Sequence, residues 1–294
     1  MYKVNPRVDL AFKKIFGVEE NKDLLISLIN SIVSEKDQIV EVTLLNPYNP
    51  KNFAADKLSI LDVKAKSETG KMFNIEIQVT DEADYDKRAL YYWSKLYAEQ
   101  LKAGDDYSKL NKTIGIHILN FTSIPNTANY HSAFELRDRV TSLVYFEDIE
   151  LHTIELNKFT NAKEELTDIV KKVKDSLDIW LAFLTRHDLL NKDKLPKKLD
   201  NKVLKKALTV LEVMNFNEEE RNTYEDRLKW LMIEANTLKK AKKESKAEGK
   251  AEKSIEMAKK MLIKRKPVGE IMEFTDLTKE QVEKLKAEIA ESNK

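Results

Sequence analysis

The stretch from Leu58 to Thr80 constrains the fold more than any other part of the chain. Two runs, Leu58–Lys66 and Lys71–Thr80, alternate in character on either side of Ser67-Glu68-Thr69-Gly70. In the first run Leu61, Val63 and Ala65 fall on one face, while Ile60, Asp62, Lys64 and Lys66 fall on the other. In the second, Phe73, Ile75, Ile77 and Val79 share a face and leave Asn74, Glu76 and Gln78 opposite. A repeat of two is the side-chain period of a β-strand. Two such runs around a short turn ending in Gly make a hairpin. Its apolar face has to be covered, which commits this part of the chain to a sheet with a layer packed on it.

The flanking sequence supplies candidates for that layer. Asp9 opens a helix with Leu10, Ala11, Phe12 and Ile15, continued after Gly17 by Leu24, Leu25, Leu28 and Ile29. Gln38–Leu45 reads as a strand ending at the turn Asn46-Pro47. After the hairpin, Asp84–Lys102 spaces Tyr85, Ala89, Tyr92, Trp93, Leu96 and Gln100 along one side of a helix. Thr113–Phe121 suits a buried strand, and Ser132–Val140 and Leu143–Leu156 add two more. Past Asn161 the pattern is helical throughout. Leu166, Ile169, Val170, Val173, Leu177, Trp180, Leu181 and Leu184 predict one amphipathic helix. A second follows Pro196, with Val203, Leu204, Ala207, Leu208 and Leu211 on one face. A third starts at Asn217, which with Glu220 forms a capping box. These helices gather no titratable residues on an apolar face and read as packing. After Pro267 two short helices are expected around a turn at Thr275–Leu277, the second capped by Thr278 with Gln281. The expected divisions are 1–160, 161–237, 238–266 and 267–294.

Composition narrows the chemistry. None of the 294 residues is cysteine, which excludes disulfide scaffolds, thiolate zinc sites and cysteine nucleophiles. The 6 Gly and 6 Pro are scattered and leave no Gly-rich phosphate loop. No apolar run approaches the roughly 20 residues of a membrane span, and Met1–Phe16 carries no signal-peptide core. A reducing cytoplasm and no membrane partner are therefore expected. His117, His131, His152 and His187 are scattered without metal-ligand spacing, and His117, on an apolar strand, reads as a core or sheet-edge residue. Tyr91, Tyr92, Trp93 and Tyr97 could stack on bases, but beside a sheet they read rather as core.

The formal charge of +1 conceals an uneven layout. Leu238–Lys266 holds twelve Lys/Arg against four Glu, a local +8, which leaves −7 for the rest of the chain. A solvated helix is the plain reading of such a run. A phosphate-binding arm is the functional one, with Lys239, Lys240, Lys242, Lys243, Lys264, Arg265 and Lys266 as the phosphate contacts.

The hairpin carries the sharper chemical signal. A turn centred near Thr69 sets Asp62 across from Glu76. Directly opposed residues have Cβ atoms about 4.5–5.5 Å apart, and carboxylates so close repel unless a cation lies between them. A divalent metal meets that need. Two carboxylates with waters and a phosphate oxygen make a usual Mg²⁺ site, and the backbone carbonyl of Ile77 could add a third oxygen. Gln78 faces the same side and could orient a metal-bound water, though it cannot act as a cationic base. The competing reading of the same spacing is an exposed hairpin face with ordinary solvated charges.

In this order these residues resemble the PD-(D/E)XK nuclease superfamily, and within it the transposase-like recombination-promoting nuclease (Rpn) group. Four stretches carry the resemblance: "NPRVDLAFKKIFG", the hairpin "KLSILDVKAKSETGKMFNIEIQV", "YDKRALYYWSKLYAEQLKAGDDYSKLNKTIGIHILNF", and the Lys/Glu/Gly-rich helix with "EIMEFTDLTKEQVEKL". It covers most of the chain, least between Asn161 and Lys240. The resemblance implies an α/β fold, a restriction-endonuclease-like mixed sheet in the order αβββαβ, followed here by a helical C-terminal region. It also implies Mg²⁺-dependent cleavage of DNA, with Mn²⁺ able to substitute. Asp62 and Glu76 become the metal ligands, Asp9 an acidic residue completing the site from the first helix, and Gln78 takes the position of the superfamily's lysine. Which cation replaces that lysine stays open: Lys64 is the candidate, with Lys66 and Arg88 as alternatives. A second departure is Asp276, where the group's tail carries Gly. Cutting two strands would suit a homodimer. The alternative function is a catalytically inactive nuclease-fold module for DNA binding or assembly.

Overall fold

A computed structural model describes residues 4–48, 62–79, 81, 84–160, 164–214 and 216–292; for Asp62, Arg227, most of 230–250 and 290–292 it describes the backbone alone. Expectations for residues 58–61, Thr80 and Asn161 lie outside the described residues.

The chain opens with helices α1 (Asp9–Phe16) and α2 (Lys22–Asn30). Strands β1 (Val42–Leu44), β2 (Asp62–Ser67) and β3 (Met72–Gln78) follow, then helix α3 (Tyr85–Ala98) and strand β4 (Thr113–Leu119). Strands β5 (His131–Arg137) and β6 (Val144–Glu155) complete the sheet, and the single turn α4 (Leu156–Phe159) leaves it. The remaining helices are α5 (Leu166–Lys172), α6 (Ser176–Arg186), α7 (Lys202–Val213), α8 (Glu218–Ile263), α9 (Val268–Thr275) and α10 (Lys279–Ser292). The sheet runs β1-β2-β3-β4-β6-β5. Its first three strands are antiparallel, β3–β4 and β4–β6 are parallel, and β5 returns antiparallel to β6. The expected αβββαβ order is present, with α2 added before the strands and a hairpin added after them.

Both faces of the inner strands β3 and β4 are covered, whereas β5 is largely exposed. Val63, Ala65, Phe73, Ile75, Ile114 and Ile116 pack with Phe12 and Phe16 of α1 and with Trp180 and Phe183 of α6 in one apolar core. On the other face α3 lies against β3 and β4, where the indole N–H of Trp93 donates to the Thr113 carbonyl at 2.7 Å. Gly115 sits beneath that helix. A Cβ there would come within 2.8 Å of Leu151 Cδ2 and 3.0 Å of His117 Nε2, so a bare backbone is what lets those two side chains pack over β4.

Two elements differ from the sequence expectation. The strand expected over Gln38–Leu45 shrinks to Val42–Leu44. Glu35–Asp37 forms a 3₁₀ turn instead. The Asn30 amide then takes both backbone groups of Ile39, at 2.8 and 2.9 Å, and satisfies them without a ladder. The single helix expected over Leu166–Leu184 is α5 and α6, parted at Val173–Asp175. Asp175 caps α6 by accepting from the Asp178 amide at 3.0 Å, and the buried Asp178 carboxylate accepts from the Lys174 amide at 2.7 Å and the Tyr130 hydroxyl at 2.6 Å. The apolar periodicity runs through the break and hides it.

The chain divides into two compact units, Met1–Leu231 and Met232–Lys294, with the division falling inside α8. In the second, Ala258, Ile271, Val282 and Leu285 form a small core of their own.

Candidate active site

The hairpin register places Asp62 directly opposite Glu76 and Lys64 opposite Asn74. On the far side of β3, the parallel register sets His117 of β4 beside Glu76 and Gly115 beside Asn74. Because β3 is an inner strand covered by α3, Glu76 is only 9% exposed and Asn74 is fully buried. A carboxylate so placed needs hydrogen-bond donors. Asn74 supplies one, its Nδ2 donating to Glu76 Oε1 at 3.0 Å.

His117 is buried, and that burial, followed by the proximity of His152 and Arg88, holds its pKa down to about 4. It is therefore neutral at physiological pH. The Tyr85 hydroxyl and His117 Nδ1 are 2.9 Å apart, which leaves the proton on Nε2 when the phenol donates. Among the described residues, Asn74 Oδ1 and His117 Nε2 are buried without a hydrogen-bond partner. Both belong to the face that carries Glu76.

Gln78 is half-buried at the end of β3. Its Oε1 accepts from Arg88 Nη2 at 2.9 Å, and its backbone carbonyl accepts from the Asn120 amide at 2.9 Å. Asn120 Oδ1 in turn accepts from Arg7 Nη1 at 2.7 Å. Arg88 lies over the Tyr85 ring at 5.4 Å. The sequence reading named Arg88 as an alternative cation and missed Arg7 and Asn120. The i, i+3 spacing of Tyr85 and Arg88 was the signal available for the helix that delivers them.

The other expected residues are distributed as follows. Lys64 is half-buried and, with Lys66, Lys109, Asn46 and Asn111, lines a cavity of about 490 Å³ beside the same face. Ile77 turns its side chain into the main apolar core. Asp9 stands in the first turn of α1 and accepts from the Leu10 amide at 2.6 Å. Lys239, Lys240, Lys242 and Lys243 lie within α8, while Lys264, Arg265 and Lys266 are exposed just beyond its end. Of the aromatic set on α3, Trp93 is core, Tyr92 and Tyr97 are half-buried, and Tyr91 is exposed. Among the described residues, no three His, Asp or Glu side chains converge as a metal cluster; the Asp62 side chain is not among those described.

The donor set nonetheless fits a hard cation: a carboxylate opposite an acidic position, a neighbouring strand carbonyl and, on the same face, the buried Asn74 Oδ1, which has no hydrogen-bond partner among the described residues. A mixed sheet whose inner strands are covered by helices on both faces, with an acidic pair on its hairpin and an amide in the third position, defines a restriction-endonuclease-like protein. Residues 6–241 match the family model for the PD-(D/E)XK nuclease family transposase, and the chain belongs to that family. No curated protein and no solved structure matches it.

Proposed function

We propose that the protein is a metal-dependent DNA endonuclease that hydrolyses phosphodiester bonds. The observation that supports this most directly is the pairing of Asp62 with Glu76 across β2 and β3, on a face that Asn74, His117 and α3 organise. Asp62, Glu76 and the Ile77 carbonyl would hold Mg²⁺ or Mn²⁺, with Asp9 approaching from α1. Such an ion, when bound, lowers the pKa of a water and offsets charge growing on the phosphate. The protein's own groups do the rest. Asn74 fixes the Glu76 carboxylate through Oε1 and so selects the orientation of the second oxygen. His117 stays neutral and adds no competing positive charge beside the carboxylate. Lys64, one pleat from Asp62, offers its ammonium to a neighbouring phosphate. The basic residues of Leu238–Lys266 supply sequence-independent affinity for the backbone of DNA. No side-chain nucleophile is needed, since water is the attacking group.

The test is plasmid nicking by purified protein with Mg²⁺ or Mn²⁺. Asp62→Ala and Glu76→Ala should each lower cleavage by at least about 100-fold while leaving the DNA Kd, measured in Ca²⁺, within about twofold. A wild-type protein that binds DNA and leaves it intact would instead be a DNA-binding module on a nuclease scaffold.

A further inference from the structure

We propose that Arg88 is a positioning residue that makes the neutral Gln78 amide do the work of the superfamily's lysine. The inference rests on the nuclease reading and concerns the same site. Gln78 Oε1 accepts from Arg88 Nη2 at 2.9 Å. An amide held by its oxygen presents its –NH₂ in the opposite direction, so the other end of Gln78 is a hydrogen-bond donor. It can donate to a phosphate oxygen and cannot take a proton from water. Donation from a guanidinium into the carbonyl also polarises the amide, and chained hydrogen bonds of this kind strengthen one another by roughly 10–30% per bond. Gln78 therefore touches substrate, and Arg88 acts through it.

Arg88 is itself held against an anchored ring. Its guanidinium lies 5.4 Å above the Tyr85 ring. Tyr85 is anchored by its hydroxyl at His117 Nδ1, 2.9 Å away, and edge-on against His117 and Phe121 at 5.9 and 5.6 Å. The positive charge thus comes from α3 and not from the strand that carries the acidic residues. The hairpin lysines are in the wrong place for this task. Lys64 pairs with Asn74, on the turn side of the Asp62–Glu76 rung, whereas Gln78 lies beyond that rung on the other side. At about 3.4 Å per residue, Lys64 and Gln78 sit roughly two pleats apart, too far for one ammonium to stand in for the other. Lys66 is a further pleat away. The acidic rung is flanked by cations on both sides, and the one at the third motif position is Arg88.

A double-mutant cycle tests this, because Gln78→Lys restores the charge that Arg88 would otherwise lend. In the wild-type background Arg88→Met, which keeps an aliphatic stem over Tyr85, should lower kcat by about 100-fold, the loss typical of one oriented donor. KM and the DNA Kd in Ca²⁺ should stay within about twofold. In the Gln78→Lys background the same substitution should cost less than about threefold. Gln78→Lys should also introduce an alkaline limb in the pH–rate profile that the wild type lacks, since lysine titrates there and arginine does not. Arg88→Lys should recover part of the lost rate. An equal loss in both backgrounds, or a loss carried by KM and Kd instead of kcat, would overturn the proposal and leave Arg88 as a DNA-binding or structural residue. Cleavage unaffected by Glu76→Ala would sink the nuclease-site reading itself, and the Arg88 proposal with it; cleavage that depends on Glu76 without the rescue would sink only the latter.

Discussion

Glu220 illustrates how much a single side chain can carry in this fold. It sits at N3 of α8, where its Oε2 accepts from the Asn217 amide at 3.0 Å and Asn217 Oδ1 accepts from the Glu220 amide at 2.9 Å. The same carboxylate pairs with Lys14 Nζ at 2.8 Å and accepts from the Tyr48 hydroxyl. Burial pushes its pKa up, but Lys14, Tyr48 and the Asn217 amide outweigh that and hold it below the usual carboxylate range. Glu220→Ala removes one partner of a largely buried ion pair and half of a capping box. It should cost about 3 kcal/mol, measured by urea unfolding; a loss under about 1 kcal/mol would mean that water replaces the carboxylate freely. A second, half-buried chain links His131 to His152 (2.9 Å), His152 to Glu150 (2.6 Å), Glu150 to Lys112 (2.6 Å) and Lys112 to Asp37 (2.8 Å). Burial and then His152 hold the His131 pKa down to about 4, against the opposing pull of Asp175 and Glu150. The unfolded chain takes up this proton near pH 6.5, before the folded one does. Stability from this residue is therefore complete above pH 6.5 and lost as pH falls toward 4. His131→Gln should flatten that part of the stability–pH curve, and an unchanged curve would remove His131 as its source.

At the scale of elements, the ends of helices decided more than their interiors. Helix α8 closes with Arg265 at φ 56°. The Arg265 amide bonds to the Leu262 carbonyl at 2.9 Å and the Lys266 amide to that of Met261 at 3.1 Å, the bonding pattern of a Schellman stop. Helix α9 ends on Asp276 at φ 57°, with its amide on the Met272 carbonyl at 3.2 Å. This explains why the sequence can depart from Gly at that point without losing the turn, since Asp tolerates the left-handed region better than most residues. It does so at a cost. Asp276→Gly should stabilise the C-terminal helices by about 0.5–1 kcal/mol, read as slower amide exchange in α9 and α10; a destabilised variant would show that the Asp276 side chain outweighs its backbone strain. Thr278 and Gln281 cap α10 reciprocally, as their spacing predicts, at 2.8 and 3.3 Å. The break between α5 and α6 went unforeseen for the opposite reason. A cap between two helices with the same apolar phase leaves the hydrophobic pattern intact.

Over the whole molecule, charge and core are partitioned differently. The apolar core of the first unit draws on α1, α2, the sheet and α4–α7 together, so the helices after Asn161 help to build the layer behind the hairpin. The positive charge is gathered instead in Leu238–Lys266, whose net +8 offsets −7 elsewhere. If Lys239, Lys240, Lys242, Lys243, Lys264, Arg265 and Lys266 meet phosphates, each contributes about 0.9 to the slope of log K against log salt. Replacing all seven by Gln should flatten that slope by up to about 6 units in anisotropy titrations between about 50 and 200 mM salt. A slope that does not change would assign the affinity to other cations.

The sequence by itself determined the hairpin, its register and hence the Asp62–Glu76 rung, because a strand repeats every two residues and a tight turn leaves little freedom to slip. It also determined the αβββαβ order and the caps at Asn217 and Thr278, which depend on neighbours a few positions away. Only the tertiary structure decided which side chains surround that rung. Arg88 reaches Gln78 because α3 crosses back over β3 and β4, and His117 stands beside Glu76 because β4 pairs parallel to β3. Glu220 meets Lys14 and Tyr48 across more than 170 residues of chain. Local periodicity encodes which face a residue occupies, whereas partners brought together by a crossover leave no spacing in one sequence from which to read them.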